Sequence, residues 1–292
     1  MVATRVVIAG GSGALGRPLA ASLADDGFEP VIVSRSPGRY VGPGRAVNWD
    51  DLQRELSGAA GVVNLTGESV AQRWTRRSIA RMTSSRVEAT RRVVVALREA
   101  DRPPPVWVQA SAVGIYGDRG EEELDESSPP GEGVLADICR AWEAAADADV
   151  ACVRQVVVRI GVVLQEDAGA WPVLTRLAKL GLGGKAGDGR QFVPWISGED
   201  MTRVFRFCLD DQRVHGVVNA VAPGVVRNAE LMAHVRRRVG RSMGVPTPAW
   251  GIRVARHVLG VPDEPALASE RVVPRRLEAM GFAFREPTLK ES

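Results

Sequence analysis

The stretch Val6-Val7-Ile8-Ala9-Gly10-Gly11-Ser12-Gly13-Ala14-Leu15-Gly16-Arg17-Pro18-Leu19 constrains this chain more than any other. Four apolar residues run into glycines at positions 10, 13 and 16, and Leu15, Leu19 and Leu23 continue at helical spacing. The pattern predicts a buried strand, a tight turn and the start of a helix. In that frame Gly10 supplies a positive φ, Gly13 lets a pyrophosphate approach the backbone, and Gly16 lets the helix lie close on the sheet. The helix N-terminus offers unpaired N–H groups and partial positive charge to phosphates. A second strand, Pro30-Val31-Ile32-Val33, follows at the distance a βαβ unit needs. Gly10, Gly11, Ser12, Gly13, Ala14, Leu15 and Gly16 are therefore expected to cradle a dinucleotide.

The spacing Gly-x-x-Gly-x-x-Gly resembles that of the short-chain dehydrogenase/reductases, particularly their extended, epimerase-like branch. Ser34-Arg35-Ser36 follows the second strand, where an NAD-specific site usually carries Asp or Glu for the ribose 2′-hydroxyl. A carboxylate there repels a 2′-phosphate, whereas Arg35 pairs with one. Ser34 and Arg35 thus point to NADP, with NAD the less favoured cofactor.

The 292 residues suffice for one large or two modest domains, and 45% apolar with 25% charged residues describe an ordinary globular chain. A net charge of +3, with no Lys/Arg run interleaved with aromatics, gives no support for nucleic-acid binding. Cys139, Cys152 and Cys208 are scattered, without Cys-x-x-Cys spacing, so neither a disulfide framework nor a metal site is expected. His215, His234 and His257 stand alone and read as structural. A core strand begins within a few residues of Met1, and no apolar run approaches a membrane span; a cytoplasmic protein, monomeric or homodimeric, is expected.

Further along, Gly61-Val62-Val63 leads into Asn64-Leu65-Thr66-Gly67, which should line the cofactor at a strand's carboxyl end. An amphipathic helix is expected over 75–99, with Ile79, Met82, Val87, Val94 and Leu97 inward. A strand over 106–111, a helix over 134–146, a long apolar run over 150–164 and a helix over 200–209 follow. Val217-Val218-Asn219-Ala220 reads as a strand returning to the main sheet, and Asn228 as a helix cap. The predicted architecture is a doubly wound α/β, Rossmann-type domain over residues 1–165, completed by the strand near 217–222. Residues 166–292 form mainly a substrate cap and a small C-terminal domain.

Several segments in order resemble an atypical, epimerase-family subgroup of the extended short-chain dehydrogenase/reductases. Among them are Asn64-Leu65-Thr66-Gly67-Glu68-Ser69, Ser84-Ser85-Arg86-Val87, Ser111-Ala112-Val113-Gly114-Ile115-Tyr116-Gly117-Asp118 and Cys139-Arg140-Ala141-Trp142-Glu143. Trp195-Ile196 and the tail from Ser269-Glu270-Arg271-Val272-Val273-Pro274 to Pro287-Thr288-Leu289 continue the likeness. The resemblance implies a Tyr-x-x-x-Lys pair, in which the ammonium lowers the phenol pKa and the phenol exchanges a proton with the substrate oxygen. This chain lacks it. Four residues after Tyr40 stands Gly44, four after Tyr116 stands Gly120, and the positions counted back from Glu143 fall near Leu135 and Cys139.

Three substitutes come forward. Ser111 stands at the strand end as a hydrogen-bond donor to a substrate carbonyl, or simply as a hydroxyl satisfying local backbone. Tyr116 lies in the loop just beyond. Cys139 is either a reactive thiol or a small buried hydrophobe. Arg159 reads as a brace or a phosphate ligand, and Trp142 and Glu143 as structural. Arg190-Gln191-Phe192 and Trp195 resemble a substrate-pocket segment, whereas Pro194 and Ser197 depart from the subgroup's usual Ser and His. The expected activity is NADP-dependent reduction or epimerisation of a small carbonyl compound or nucleotide sugar. The alternative is a non-catalytic NADP-binding sensor or interaction protein.

Overall fold

In a sheet covered on both faces, every strand position must be apolar, because successive side chains point to opposite sides. The stretches 6–9, 30–33, 61–63 and 106–108 are built that way. In the structure, a computed structural model describing residues 4–260 and 262–289 (without the side chains of Ala255, His257 and Leu259), Val7, Val31, Val62 and Trp107 pack into one core layer. Their neighbours Ile8, Ile32, Val63 and Val108 pack into the other. His257, taken as structural from the sequence, lies outside the described side chains.

The main sheet comprises β1 (Arg5–Ala9), β2 (Glu29–Val33), β3 (Arg45–Val47), β4 (Gly61–Asn64), β5 (Val106–Ala112), β6 (Arg154–Ile160) and β7 (Gly216–Ala220). Their order across the sheet is β3-β2-β1-β4-β5-β6-β7, with every neighbouring pair parallel. This is the Rossmann arrangement. The order in which strands are added reverses between β1 and β4, so their carboxyl ends flank the crevice where such sheets bind ligands. Helices α1 (Gly16–Asp25), α2 (Leu52–Leu56), α3 (Arg76–Glu99), α4 (Val134–Ala146), α5 (Trp171–Lys179), α6 (Gly198–Asp210), α7 (Asn228–Arg238) and α8 (Ala249–Leu259) complete the larger elements. Thr75 caps α3 reciprocally with Ser78, giving that long helix a defined start. Ser197 caps α6 by accepting from the Asp200 N–H at 3.1 Å.

Asn228 is not the cap expected of it. The Glu230 carboxylate caps α7 by accepting from the Arg227 N–H at 2.7 Å, while the Asn228 side chain accepts from Ala186 N–H at 2.8 Å. The tail returns to the body twice. Arg271–Val272 pairs parallel with Glu123–Leu124, and Leu277 and Phe282 enter the core against α6 and β7. Among the described residues no helix is long and apolar enough to cross a membrane, and no cluster of His, Cys, Asp or Glu could hold a metal ion.

Candidate active site

The turn after β1 is as tight as its glycines require. Gly10 has φ +76°, and a Cβ there would lie 3.1 Å from the Leu65 carbonyl, so β1 and β4 can meet at the crevice. A Cβ on Gly16 would fall 2.3 Å from the Gly11 Cα; this glycine serves close packing of the helix on the turn itself. Gly13 and Ala14 are exposed, Ser12 and Leu15 half-exposed, and no side chain caps the start of α1. The Arg17 N–H donates to the Gly13 carbonyl at 3.1 Å and Pro18 has no N–H, so the N–H groups of Ala14, Leu15 and Gly16, without a partner among the described residues, are what the turn offers an anion. Ser34 is tied by its N–H to the Val47 carbonyl at 3.0 Å, whereas Arg35 is exposed and makes no ion pair among the described residues. Arg39, four residues further, is exposed too, a second cation on the same segment.

Asn64 departs from expectation. It is fully buried, and its amide donates to Thr90 Oγ1 at 3.1 Å and Gln109 Oε1 at 2.9 Å. Its Oδ1 accepts from the Thr66 N–H at 3.2 Å. Every polar atom of the side chain therefore shapes the loop, and Leu65, Thr66 and Gly67 are what the crevice meets. Arg86 reaches the same edge from α3. Its Nη1 donates to the carbonyls of Glu68 and Met82, both at 2.9 Å, and its guanidinium lies 5.0 Å from the Trp142 ring centroid. A Cβ on Gly67 would come within 2.9 Å of Arg86 Cζ. The Nε and Nη2 edge has no hydrogen-bond partner among the described residues.

Ser111 and Tyr116 belong to one connected network. Ser111 Oγ donates to Glu143 Oε1 at 2.6 Å, and Arg159 donates to both Glu143 oxygens at 2.9 Å. Arg159 Nη1 also donates to the Tyr116 hydroxyl at 2.9 Å, which donates in turn to Asn219 Oδ1 at 2.8 Å. Tyr116 has no exposed surface. Expected to reach the substrate space, it is instead a core residue of the short helix 113–116, and burial raises its pKa. While the Ser111 bond stands, the hydroxyl donates to Glu143 and not to a substrate. Arg159 and Glu143 brace each other as the sequence suggested for each.

Leu135 and Cys139, the positions counted for the missing Tyr and Lys, stand on α4 beside this network. A Cβ on Gly114 would lie 3.0 Å from Leu135 Cβ. Burial first, then the Glu143 charge, pushes the Cys139 thiol up to about 12, so it is held as a neutral thiol. In the cap, Trp195 is buried with Nε1 donating to the Gly224 carbonyl, and Gln191 is committed to the Ala186 and Ala266 carbonyls. Phe192 stays half-exposed under the Arg227 guanidinium, 4.2 Å from its centroid. A separate cavity of about 840 Å3 opens behind the dinucleotide turn between α1, α6 and α7. Its Arg238 and Arg285 are already paired with Glu166 and Glu199.

Residues 6–221 match the profile of the NAD dependent epimerase/dehydratase family. The chain belongs to that family. Residues 247–292 match a second profile, a domain of unknown function designated DUF1731, which follows the epimerase region here. The human epimerase family protein SDR39U1 is 36% identical over 98% of this chain and 97% of its own length. An epimerase family protein of Mycobacterium leprae is 34% identical over 98% of this chain and 94% of its own. A crystal structure of human SDR39U1 with NADPH superposes with TM-score 0.88 at 35% identity, covering 98% of this chain and 96% of that one. A nucleoside-diphosphate sugar epimerase from Corynebacterium glutamicum gives TM-score 0.78 at 32% identity, covering 98% of this chain and 56% of the other.

Proposed function

We propose that this epimerase-family protein binds NADP and acts as an oxidoreductase or epimerase on a small carbonyl compound or nucleotide sugar. The observation that carries the reading is the uncapped glycine turn joined to an unpaired Arg35, in a chain that resembles an NADPH-bound structure along nearly its whole length. The cradle fits the cofactor's chemistry: the N–H groups of Ala14, Leu15 and Gly16 for the pyrophosphate, and Ser34 and Arg35, with Arg39 on the same segment, for a 2′-phosphate. Leu65, Thr66 and Gly67 line the crevice between the β1 and β4 ends. The bound nicotinamide supplies hydride exchange.

At the reacting end, this chain's own residues orient and charge the site. The Ser111–Glu143–Arg159–Tyr116 chain holds β5, the 113–116 turn and α4 in fixed register. Arg86, beside position 139 and with an uncommitted guanidinium edge, is placed to carry the positive charge that a lysine at 139 would have carried. Leu135 and Cys139 favour a second reading, an NADP-binding sensor without turnover. Calorimetric titration with NADPH and NADH, followed by a spectrophotometric screen for NADPH oxidation over carbonyl compounds and nucleotide sugars, decides between them. Tight NADPH binding with turnover supports the enzyme; tight binding without turnover supports the sensor; absence of binding refutes both.

A further inference from the structure

The two α4 positions without Tyr and Lys are met by carboxylates from the C-terminal segment. Glu264 accepts from the N–H groups of Val134 and Leu135, both at 3.0 Å. Gly133 makes room for it, since a Cβ there would come within 2.7 Å of Glu264 Oε1. Six residues on, the main chain around Glu270 is pinned from several sides. The Glu270 N–H donates to the Phe192 carbonyl at 3.2 Å, and its carbonyl accepts from Val272 N–H at 3.0 Å. Ser269 bonds Asp118 through its N–H at 3.1 Å, the Gly120 carbonyl through Oγ at 2.6 Å, and accepts from Phe192 N–H at 3.1 Å. The parallel pairing of Arg271–Val272 with Glu123–Leu124 fixes the direction of what precedes it.

The Glu270 side chain is the exception to this pinning. It is half-buried, and it has neither a hydrogen-bond partner nor an ion pair among the described residues. It lies near enough to Cys139 for its charge to act on the thiol. We propose that Glu270 is the general acid and base of this site, exchanging a proton with the substrate oxygen in place of the tyrosine absent at Leu135. The proposal rests on the reading of the site as an oxidoreductase or epimerase.

The surroundings set the proton's residence. Burial raises the Glu270 pKa to about 8, and Asp118 and Glu264 add like charge in the same direction. Cys139, facing from α4, is neutral, so these groups supply no compensating positive charge. A carboxyl in this range is protonated enough at neutral pH to donate and weak enough as an acid to take the proton back. In the reductive direction the O–H bond of the Glu270 carboxyl breaks and an O–H bond forms on the substrate oxygen. The electron pair arrives with the hydride that the proposed function assigns to NADPH. The carboxylate left behind is reprotonated from water, and oxidation runs the same exchange backwards.

The test combines infrared titration of the cofactor-free protein with kinetics. The wild-type minus Glu270→Gln difference spectrum is expected to show a protonated-carboxyl C=O band at pH 7 that disappears with a midpoint near pH 8. Glu270→Gln is expected to lower turnover about 10²- to 10⁴-fold with NADPH affinity unchanged, and Glu270→Asp to restore part of it. Unchanged NADPH affinity also certifies that each variant is folded. No band assignable to Glu270, or wild-type turnover in Glu270→Gln, overturns the proposal while leaving the enzyme reading intact. A wild-type protein that binds NADPH and turns over nothing overturns both.

Discussion

Replacing Arg35 by Asp separates cofactor choice from every other property of the site. Arg35 is exposed and unpaired among the described residues, so its removal breaks no ion pair or hydrogen bond there, and the melting temperature should stay where it was. What changes is the 2′-phosphate term. A hydrogen bond to a charged group contributes about 1.5–3 kcal/mol. An aspartate placed near the phosphate adds repulsion of about 1 kcal/mol at 4 Å in water. Together about 2.5–4 kcal/mol corresponds to a loss of roughly 60- to 700-fold in NADPH affinity. NADH has no 2′-phosphate to lose, and its ribose hydroxyl gains a carboxylate acceptor. Its affinity should therefore hold or rise. Calorimetry of both cofactors against both proteins measures the ratio directly. Repeating it at higher ionic strength should shrink the NADPH difference, because the contact lies at the surface. Equal weakening of NADPH and NADH would refute the argument, as would an unchanged NADPH affinity, which would pass the role to Arg39.

Gly16→Ala places a methyl group 2.3–2.6 Å from the Gly11 backbone, where no flexible side chain can yield. A destabilisation of at least about 1–3 kcal/mol is expected by chemical denaturation, with loss of NADPH binding; a variant of wild-type stability would show that the turn is looser than its contacts imply. Glu143→Gln leaves the Arg159 guanidinium, whose side chain is only 7% exposed, without its carboxylate. That change is expected to cost about 3–5 kcal/mol, against about 1–3 kcal/mol for Tyr116→Phe, which leaves two buried partners of the hydroxyl unsatisfied; the reverse ranking would contradict the bracing role. The raised pKa of Glu270 means that the folded state holds a proton which the unfolded state has released. Its contribution to stability is therefore fully present below the unfolded carboxyl range near ~4.3 and is lost as pH rises through about 8. Glu270→Gln should flatten the decline in unfolding free energy across that window, and identical slopes in the two proteins would contradict the buried, ionisable placement.

How much of this was legible in the sequence varied with the range of the interaction involved. The strand–turn–helix around Gly10 to Gly16 is local: a continuous apolar run gives way to a 3.6-residue apolar period across a glycine turn, and the structure follows that change. The same holds for α4, found over Val134–Ala146 as the pattern predicts, and for the return of β7 to the sheet. Local pattern cannot say which way a loop residue points. Tyr116 was expected at the cleft because it follows Ser111 in the chain, but the short helix 113–116 turns its ring under Arg159 and toward Asn219, 103 residues away. Asn64 likewise carried the right strand-end position, yet its amide is claimed by Thr90 and Gln109 from two other elements. Glu270 stands out in the sequence only as part of a tail motif. Nothing in its immediate neighbours signals a site, since its setting is created by Asp118, Cys139, Phe192 and Glu264 meeting through the tail's pairing with Glu123–Leu124.

That distribution of partners also argues for where the chemistry resides. A buried polar group that is fully hydrogen-bonded gains rigidity and loses freedom to exchange protons with a ligand. Ser111, Glu143, Arg159, Tyr116 and Asn219 satisfy one another in a continuous chain, so the Ser111 or Tyr116 hydroxyl can donate its proton to a substrate only by breaking a bond that already stabilises the fold. Groups still uncommitted among the described residues sit around that chain: Arg35 just after β2, the outer edge of Arg86 beside Gly67, and the Glu270 carboxyl near α4. Two of these are fixed positive charges suited to an anionic cofactor, and one is a carboxyl whose proton is held near neutrality. The braced chain therefore supplies a rigid floor and the uncommitted groups supply the contacts, with the acid–base group carried in by the C-terminal segment.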